Sequence, residues 1–398
     1  MSNNQLMSGL SNKTRQIVDP SAFGPISLVV IQPTSFCNLD CDYCYLPNRD
    51  QKNRLPLALV EPIFRSILTS PFFRSDFTVC WHAGEPLAVP ISYYQKIFAA
   101  AEVANDKYNQ RGFQFHYSYQ TNATLITQAW CDFFKQHSVQ VGVSLDGPAF
   151  LHDQHRKNRQ GKGSYEMTMK GLRLLQENDI PHSIIAVITQ DSLDYPDEIF
   201  NFFLENRIRE VGFNFEEKEG INQHSSLDDP VHEQKFRQFI QRIWELSRQN
   251  SENFYLREFE VLSNLIYSQE RLLHTEMNNP FEIVNFDAKG NFSTFDPELL
   301  SITTPPYGSF ILGNVITDTL ESSCHTEKFR QIYWDINQGF RDCRKTCDYF
   351  GMCGGGSGSN KYWENGTFNS TETRACRYRI QLLTDIVVEL LEKSLNLV

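Results

Sequence analysis

The stretch ISLVVIQPTSFCNLDCDYCYLPNR, residues 26–49, opens on a β-branched run of strand character and ends in a loop that carries Cys37, Cys41 and Cys44. The CxxxCxxC spacing places three thiolates on one short loop, one ligand fewer than a closed four-coordinate site demands. In a cubane iron–sulfur cluster that shortfall leaves one iron open, and an open iron can chelate a second molecule. Two other readings stand beside this one: a zinc loop completed by a distant His or Cys, and ordinary thiols in a reducing compartment. Zinc sites usually pair their ligands as CxxC with a second pair later, which these three positions do not do.

Working outward, the chain of 398 residues is long enough for one large core with a smaller unit attached. A formal net charge of −11 and the lack of any Lys/Arg run argue against a general nucleic-acid surface. The N-terminal sequence MSNNQLMSGLSNKTRQIVDP has no apolar signal-peptide stretch, and no segment offers the ~20 apolar residues of a membrane span. A cytoplasmic protein with no membrane partner is therefore expected. Of ten cysteines, three lie at 37–44 and five at 324–376, and such clustering in a reducing compartment reads as metal or cluster ligation.

Residues 26–31, 77–81, 113–119, 139–145, 183–189 and 210–215 have strand character and are separated by helical patterns, the first of these at 57–68. Six βα units predict an α/β fold in which a parallel sheet curls into a partial (β/α)6, TIM-like barrel with function at the C-terminal strand ends. We assign 1–24 to an N-terminal extension too short to be a separate domain, 25–230 to the barrel core and 231–280 to a helical connector. Segment 281–398 is read as a small cysteine-rich module closed by a C-terminal helix that packs on the protein.

Tyr43 precedes the third cysteine, giving CxxxCxΦC. Trp81-His82-Ala83-Gly84-Glu85-Pro86 ends the second strand, Ser118-Tyr119-Gln120-Thr121-Asn122 the third, and Ser144-Leu145-Asp146-Gly147-Pro148 the fourth, with Arg156 beyond it. Taken alone, these are ordinary turns and a surface arginine. Together they resemble the radical S-adenosylmethionine (SAM) enzymes. That resemblance implies a [4Fe-4S] cluster on Cys37, Cys41 and Cys44 that chelates SAM, with the Tyr43 ring over the cofactor. It implies that Gly84-Glu85-Pro86 meets the SAM amino group, Asn122 lies beside cofactor and substrate, Ser144 meets the ribose and Arg156 the carboxylate. Cys80, Cys131 and His82 show no partner spacing and are read as core residues.

Cys343, Cys347, Cys353 and Cys376 supply four further thiolates, enough to close a cluster, or a structural zinc site. Their arrangement resembles the SPASM module of radical SAM peptide maturases, with CxxxC in place of the usual CxxC. Where full SPASM modules carry more cysteines, this chain has Phe295 and Ser357, so one auxiliary [4Fe-4S] cluster is expected, with Cys324 unassigned. The runs STFDPELL and FNFEEKEGIN resemble the GrrM-type branch, which builds cyclophanes in glycine-rich precursor peptides. Asp296 stands where related sulfatase-maturing enzymes carry a catalytic Asp; it is otherwise a turn residue before Pro297. The resemblance implies hydrogen abstraction by a 5′-deoxyadenosyl radical from a ribosomally made precursor peptide, with flavodoxin or ferredoxin as electron donor. Sulfatase maturation, thioether formation and a non-catalytic iron–sulfur protein are the alternatives.

Overall fold

The computed structural model describes residues 19–395. Six strands carry the core: β1 (Leu28–Ile31), β2 (Phe77–Trp81), β3 (Phe115–Thr121), β4 (Gln140–Ser144), β5 (His182–Ile188) and β6 (Glu210–Phe215). They pair in chain order, every pair parallel. Parallel neighbours need a crossover, and each is a helix that lays an apolar stripe on the sheet. Helix Val60–Leu68 buries Val60, Ile63, Phe64 and Ile67, positions i, i+3, i+4 and i+7 of one face. Ahead of it, Leu57–Leu59 forms a 3-10 turn, so the predicted helix begins its α-geometry at Val60.

The third strand begins two residues later than its sequence pattern predicts. Asn109 donates to the Phe113 carbonyl at 2.8 Å and Gly112 takes φ +75°, which folds the predicted start into a turn. The shift places Gln120 and Thr121 in the strand and Asn122 at its C-terminal end.

The sheet extends beyond the six core strands at both edges. Tyr255–Leu256 (β7) adds parallel to β6 between helices His232–Gln249 and Arg257–Ser268. At the other edge Ile283–Phe286 (β8) pairs parallel with β1, and Asn291–Thr294 (β9) returns antiparallel through the Gly290 turn. Buried phenylalanines seat this C-terminal segment. Phe72 from the core stacks on Phe281 at 4.3 Å, and Phe281 and Phe295 both stack on Phe329. Each such ring buries roughly 150–250 Å².

Helix Leu383–Ser394 buries Leu383, Ile386, Val387 and Leu391 against helices His232–Gln249 and Arg257–Ser268, with Arg237 paired to Glu389 at 3.0 Å. Residues 1–18, most of the expected N-terminal extension, and residues 396–398 lie outside the described residues. Among the described residues no helix is long and apolar enough to cross a membrane.

Candidate functional site

The cysteine loop leaves β1 and is tied down by backbone and side chains on two sides. Asn53 accepts from the Ser35 amide at 2.6 Å, and Arg49 donates to the Cys41 carbonyl at 3.0 Å. Residues 155–159 cross over the loop: Asp40 N–H meets the Lys157 carbonyl at 2.7 Å, and Arg159 donates to the Cys37 carbonyl at 2.8 Å. Arg49 and Arg159 were missed in the sequence because nothing in their spacing ties them to the cysteines. Burial pushes the Cys37 thiol up to about 12, with Glu85 adding to it, and burial raises Cys41 to about 11 against the pull of Arg156. Thiols in such surroundings ionise when a metal takes their proton's place.

Behind the loop, Ala83 and Gly84 both adopt positive φ, +69° and +65°. A Cβ on Gly84 would stand 2.5 Å from the Thr34 carbonyl oxygen and 2.7 Å from that of Phe36, so only glycine fits against the root of the cysteine loop. Glu85 is almost wholly buried and is a clamp. Its Oε1 accepts from Leu87 N–H at 2.9 Å and the Thr121 hydroxyl at 2.7 Å, its Oε2 from Asn122 N–H at 2.9 Å. Pro86 begins a 3-10 turn and is buried. The second and third strand ends are thereby locked together. The Asn122 amide donates to Asn38 at 3.0 Å and reaches the Cys37 sulfur at 3.8 Å.

Arg156 is buried and forms a forked pair with Asp146, Nε to Oδ2 at 2.9 Å and Nη2 to Oδ1 at 3.0 Å. The Tyr43 hydroxyl donates to the same carboxylate, and the guanidinium lies 5.4 Å from the Tyr43 ring centre. Although burial works against it, the Arg156 charge holds the Asp146 carboxyl below its ordinary range. Among the described residues no hydrogen bond engages Nη1. Ser144 accepts from Gln120 at 3.0 Å.

These groups line one cavity of about 350 Å³. Cys37, Cys41, Cys44, Tyr43, Gly84, Glu85, Asn122, Ser144 and Arg156 are in its lining, and so are Asp296, Glu298, Glu217, Glu219 and Arg379. His82 also lines it; the core reading of that residue is corrected by its place beyond the end of β2, 3.3 Å from the Tyr45 hydroxyl. Burial lowers His82 to about 4, which keeps it neutral near pH 7.

Asp296 is buried, its Oδ1 accepting from the Ser357 hydroxyl at 2.7 Å and its Oδ2 from Ser359 N–H at 3.0 Å. Burial raises it to about 6 and Glu298 to about 7, and lifts Glu219 well above its ordinary value. Glu217 pairs with Arg379 at 3.0 Å and accepts from Asn360 at 2.7 Å. The glutamates belong to two runs far apart in the chain, FNFEEKEGIN and STFDPELL; their convergence is a product of the fold. Phe295 holds φ +73°, a strained value for an aromatic residue. Its ring joins the phenylalanine core while Asp296 lines the cavity.

A second cavity, about 460 Å³, is lined by Cys343, Cys347, Cys353 and Cys376. Met277, Ser357, Asn360 and Arg379 line both cavities. Among the described residues no group of three or more His, Cys, Asp or Glu is arranged to hold a single metal ion. Four thiolates lining one cavity are a donor set that fits a closed iron–sulfur cluster. Burial raises Cys376 to about 12 and also raises Cys347 and Cys353. Of the other cysteines, Cys80 is half-buried in β2, Cys131 is buried in the core, and buried Cys324 lies 4.0 Å from the Leu320 carbonyl oxygen.

The model of the radical SAM superfamily matches residues 31–203. A protein of Synechocystis sp., sll1766, is 59% identical over 397 residues, covering 98% of this chain and all of that one. A serine-type anaerobic sulfatase-maturating enzyme of Bacteroides thetaiotaomicron is 27% identical over 85% of this chain and 84% of its own. Among solved structures, anSMEcpe with bound AdoMet and Cp18Cys peptide has a TM-score of 0.75 at 19% identity, over 94% of this chain and 99% of that one. Streptococcus suis SuiB bound to precursor peptide SuiA has a TM-score of 0.60 at 17% identity, over 92% of this chain and 78% of that one. Both structures share the fold described above.

Proposed function

This chain belongs to the radical SAM superfamily, and on that premise we propose that it is a maturase that joins an aromatic ring to a β-carbon of a ribosomally made precursor peptide, forming a cyclophane. The observation that carries the reading is the single cavity bounded by a three-cysteine loop and a group of buried carboxyls, sharing a wall with a four-cysteine cavity.

Cys37, Cys41 and Cys44 would hold a [4Fe-4S] cluster, and Tyr43, the Gly84 to Pro86 turn, Asn122, Ser144 and Arg156 would bind SAM. When bound, these groups supply a carbon radical able to take hydrogen from an unactivated C–H. The protein's own residues then govern the outcome. Arg156 keeps Nη1 for the SAM carboxylate while Asp146 fixes its plane. Ring addition leaves a substrate radical that must lose one electron and one proton. Asp296, raised to about 6, is the base, and Cys343, Cys347, Cys353 and Cys376 would hold a cluster able to accept the electron. A flavodoxin- or ferredoxin-class protein serves as external carrier.

Support for a peptide substrate comes from two proteins of the same fold, one bound to Cp18Cys peptide and one to the precursor peptide SuiA. The end-to-end likeness to sulfatase-maturating enzymes favours a second reading, oxidation of a Cys or Ser side chain to an aldehyde. Mass spectrometry of a candidate precursor co-expressed with this protein separates the two. A crosslink removes two hydrogens and leaves the peptide inert to hydrazide. Serine oxidation removes two hydrogens as well but yields a hydrazide-reactive aldehyde, and that result would replace the cyclophane reading.

A further inference from the structure

Lys361, in helix Gly358–Asn365, is 5% exposed, yet among the described residues no carboxylate pairs with it. The partner shown for its Nζ is the Cys343 sulfur, at 3.3 Å, and the side chain lines the cavity ringed by the four cysteines. A buried ammonium without a counter-charge is costly, and a neutral thiol does little to offset it. An anionic cluster held by the four cysteines would supply the missing negative charge.

We propose that Lys361 is a positioning residue that holds the reduction potential of the auxiliary cluster up, biasing it to take an electron from the substrate radical. The inference rests on the reading that the four cysteines hold a cluster. The step concerned is a one-electron transfer. The radical left after ring addition gives one electron to the cluster and one proton to a base, and a ferredoxin- or flavodoxin-class carrier later removes that electron. Reduction adds one negative charge to an already anionic cluster, so a fixed cation at a ligand sulfur stabilises the reduced form more than the oxidised one. Two neutral donors reach two of the other three sulfurs, Gly355 N–H to Cys353 at 3.3 Å and the Gln381 amide to Cys376 at 3.9 Å. Of these three donors, Lys361 alone carries a charge.

The test is an EPR-monitored redox titration of the full-length protein, reconstituted with iron and sulfide, with Cys37, Cys41 and Cys44 replaced by alanine so that only the second cluster is seen. Lys361→Met is expected to shift the one-electron equilibrium at least tenfold toward the oxidised form, about 59 mV more negative, while Lys361→Arg stays near the parent. An unchanged potential in a Met variant with full iron overturns the proposal. Should Lys361→Met fail to assemble a cluster, Lys361→Gln and Lys361→Arg are compared, and equal potentials in those two overturn it. A parent protein with no second cluster overturns the cluster assignment itself, and this inference with it.

Discussion

The Ser357 hydroxyl donates to Oδ1 of Asp296 at 2.7 Å, joining the position where a further cluster cysteine is expected in full SPASM modules to the carboxylate proposed as base. Burial raises Asp296 to about 6 and this hydrogen bond opposes the rise, because it favours the ionised form. Crosslinked product should therefore increase with pH through an apparent value near 6. Ser357→Ala should move that limb to higher pH, and Asp296→Asn should lose at least about tenfold of product while still releasing 5′-deoxyadenosine. Product formation by Asp296→Asn at the parent rate would refute the base assignment.

Stability should carry the same signature. Asp296 and Glu298 are raised in the folded protein, to about 6 and about 7, so over the window from about pH 4 to about 7 the folded state binds more protons than the unfolded. The sign follows: these groups favour folding at the acidic end and lose that contribution as pH rises. Thermal unfolding of parent and Asp296→Asn across this window should show a shallower decline in the variant.

Iron stoichiometry checks the cluster count. With Phe295 packed on Phe329 and Ser357 bonded to Asp296, neither position has a ligand free for a third cluster. Reconstituted protein should hold about eight irons, falling to about four when Cys37, Cys41 and Cys44 are replaced. About twelve irons in the parent would disprove a single auxiliary cluster.

Gly84→Ala should be severe and Ala83→Gly mild, although the two residues are neighbours. The added methyl at Gly84 would sit 2.5 Å from the Thr34 carbonyl oxygen and displace the root of the cysteine loop, so iron retention and 5′-deoxyadenosine release should both fall. At Ala83, where φ is +69°, glycine relieves strain worth about 1 kcal/mol and activity should persist.

The Arg156–Asp146 pair makes a sharper stability prediction. Both side chains are buried, so Asp146→Asn strands a guanidinium and should cost roughly 3–5 kcal/mol in denaturant unfolding. Asp146→Asn with parental stability would show that the pair adds nothing to the fold.

Much of this architecture was legible in the residues. The strands at 77–81 and 210–215 stand where their β-branched and aromatic pattern put them, because such side chains fit a pleated, largely buried surface. The Cys37, Cys41 and Cys44 loop was legible because its three thiols are close in sequence. Glu217, Glu219 and Glu298 were quoted only as parts of longer runs, since local sequence does not say that two strand ends will meet. His82 was misread because a lone histidine after a strand resembles packing until its cavity is seen.

Sequence by itself determined the periodicity of the βα units, the donor set of each cysteine group and the absence of ligands at Phe295 and Ser357, all properties of residue type and local spacing. Tertiary structure decided that Glu85 clamps strand ends, that Asp146 occupies the fork of Arg156, that Lys361 reaches Cys343 and that two cavities share Ser357 and Arg379. Those relationships join residues far apart in the chain. Burial then gives the groups involved their strength, because removing water raises both the cost of an unpaired charge and the energy of a paired one.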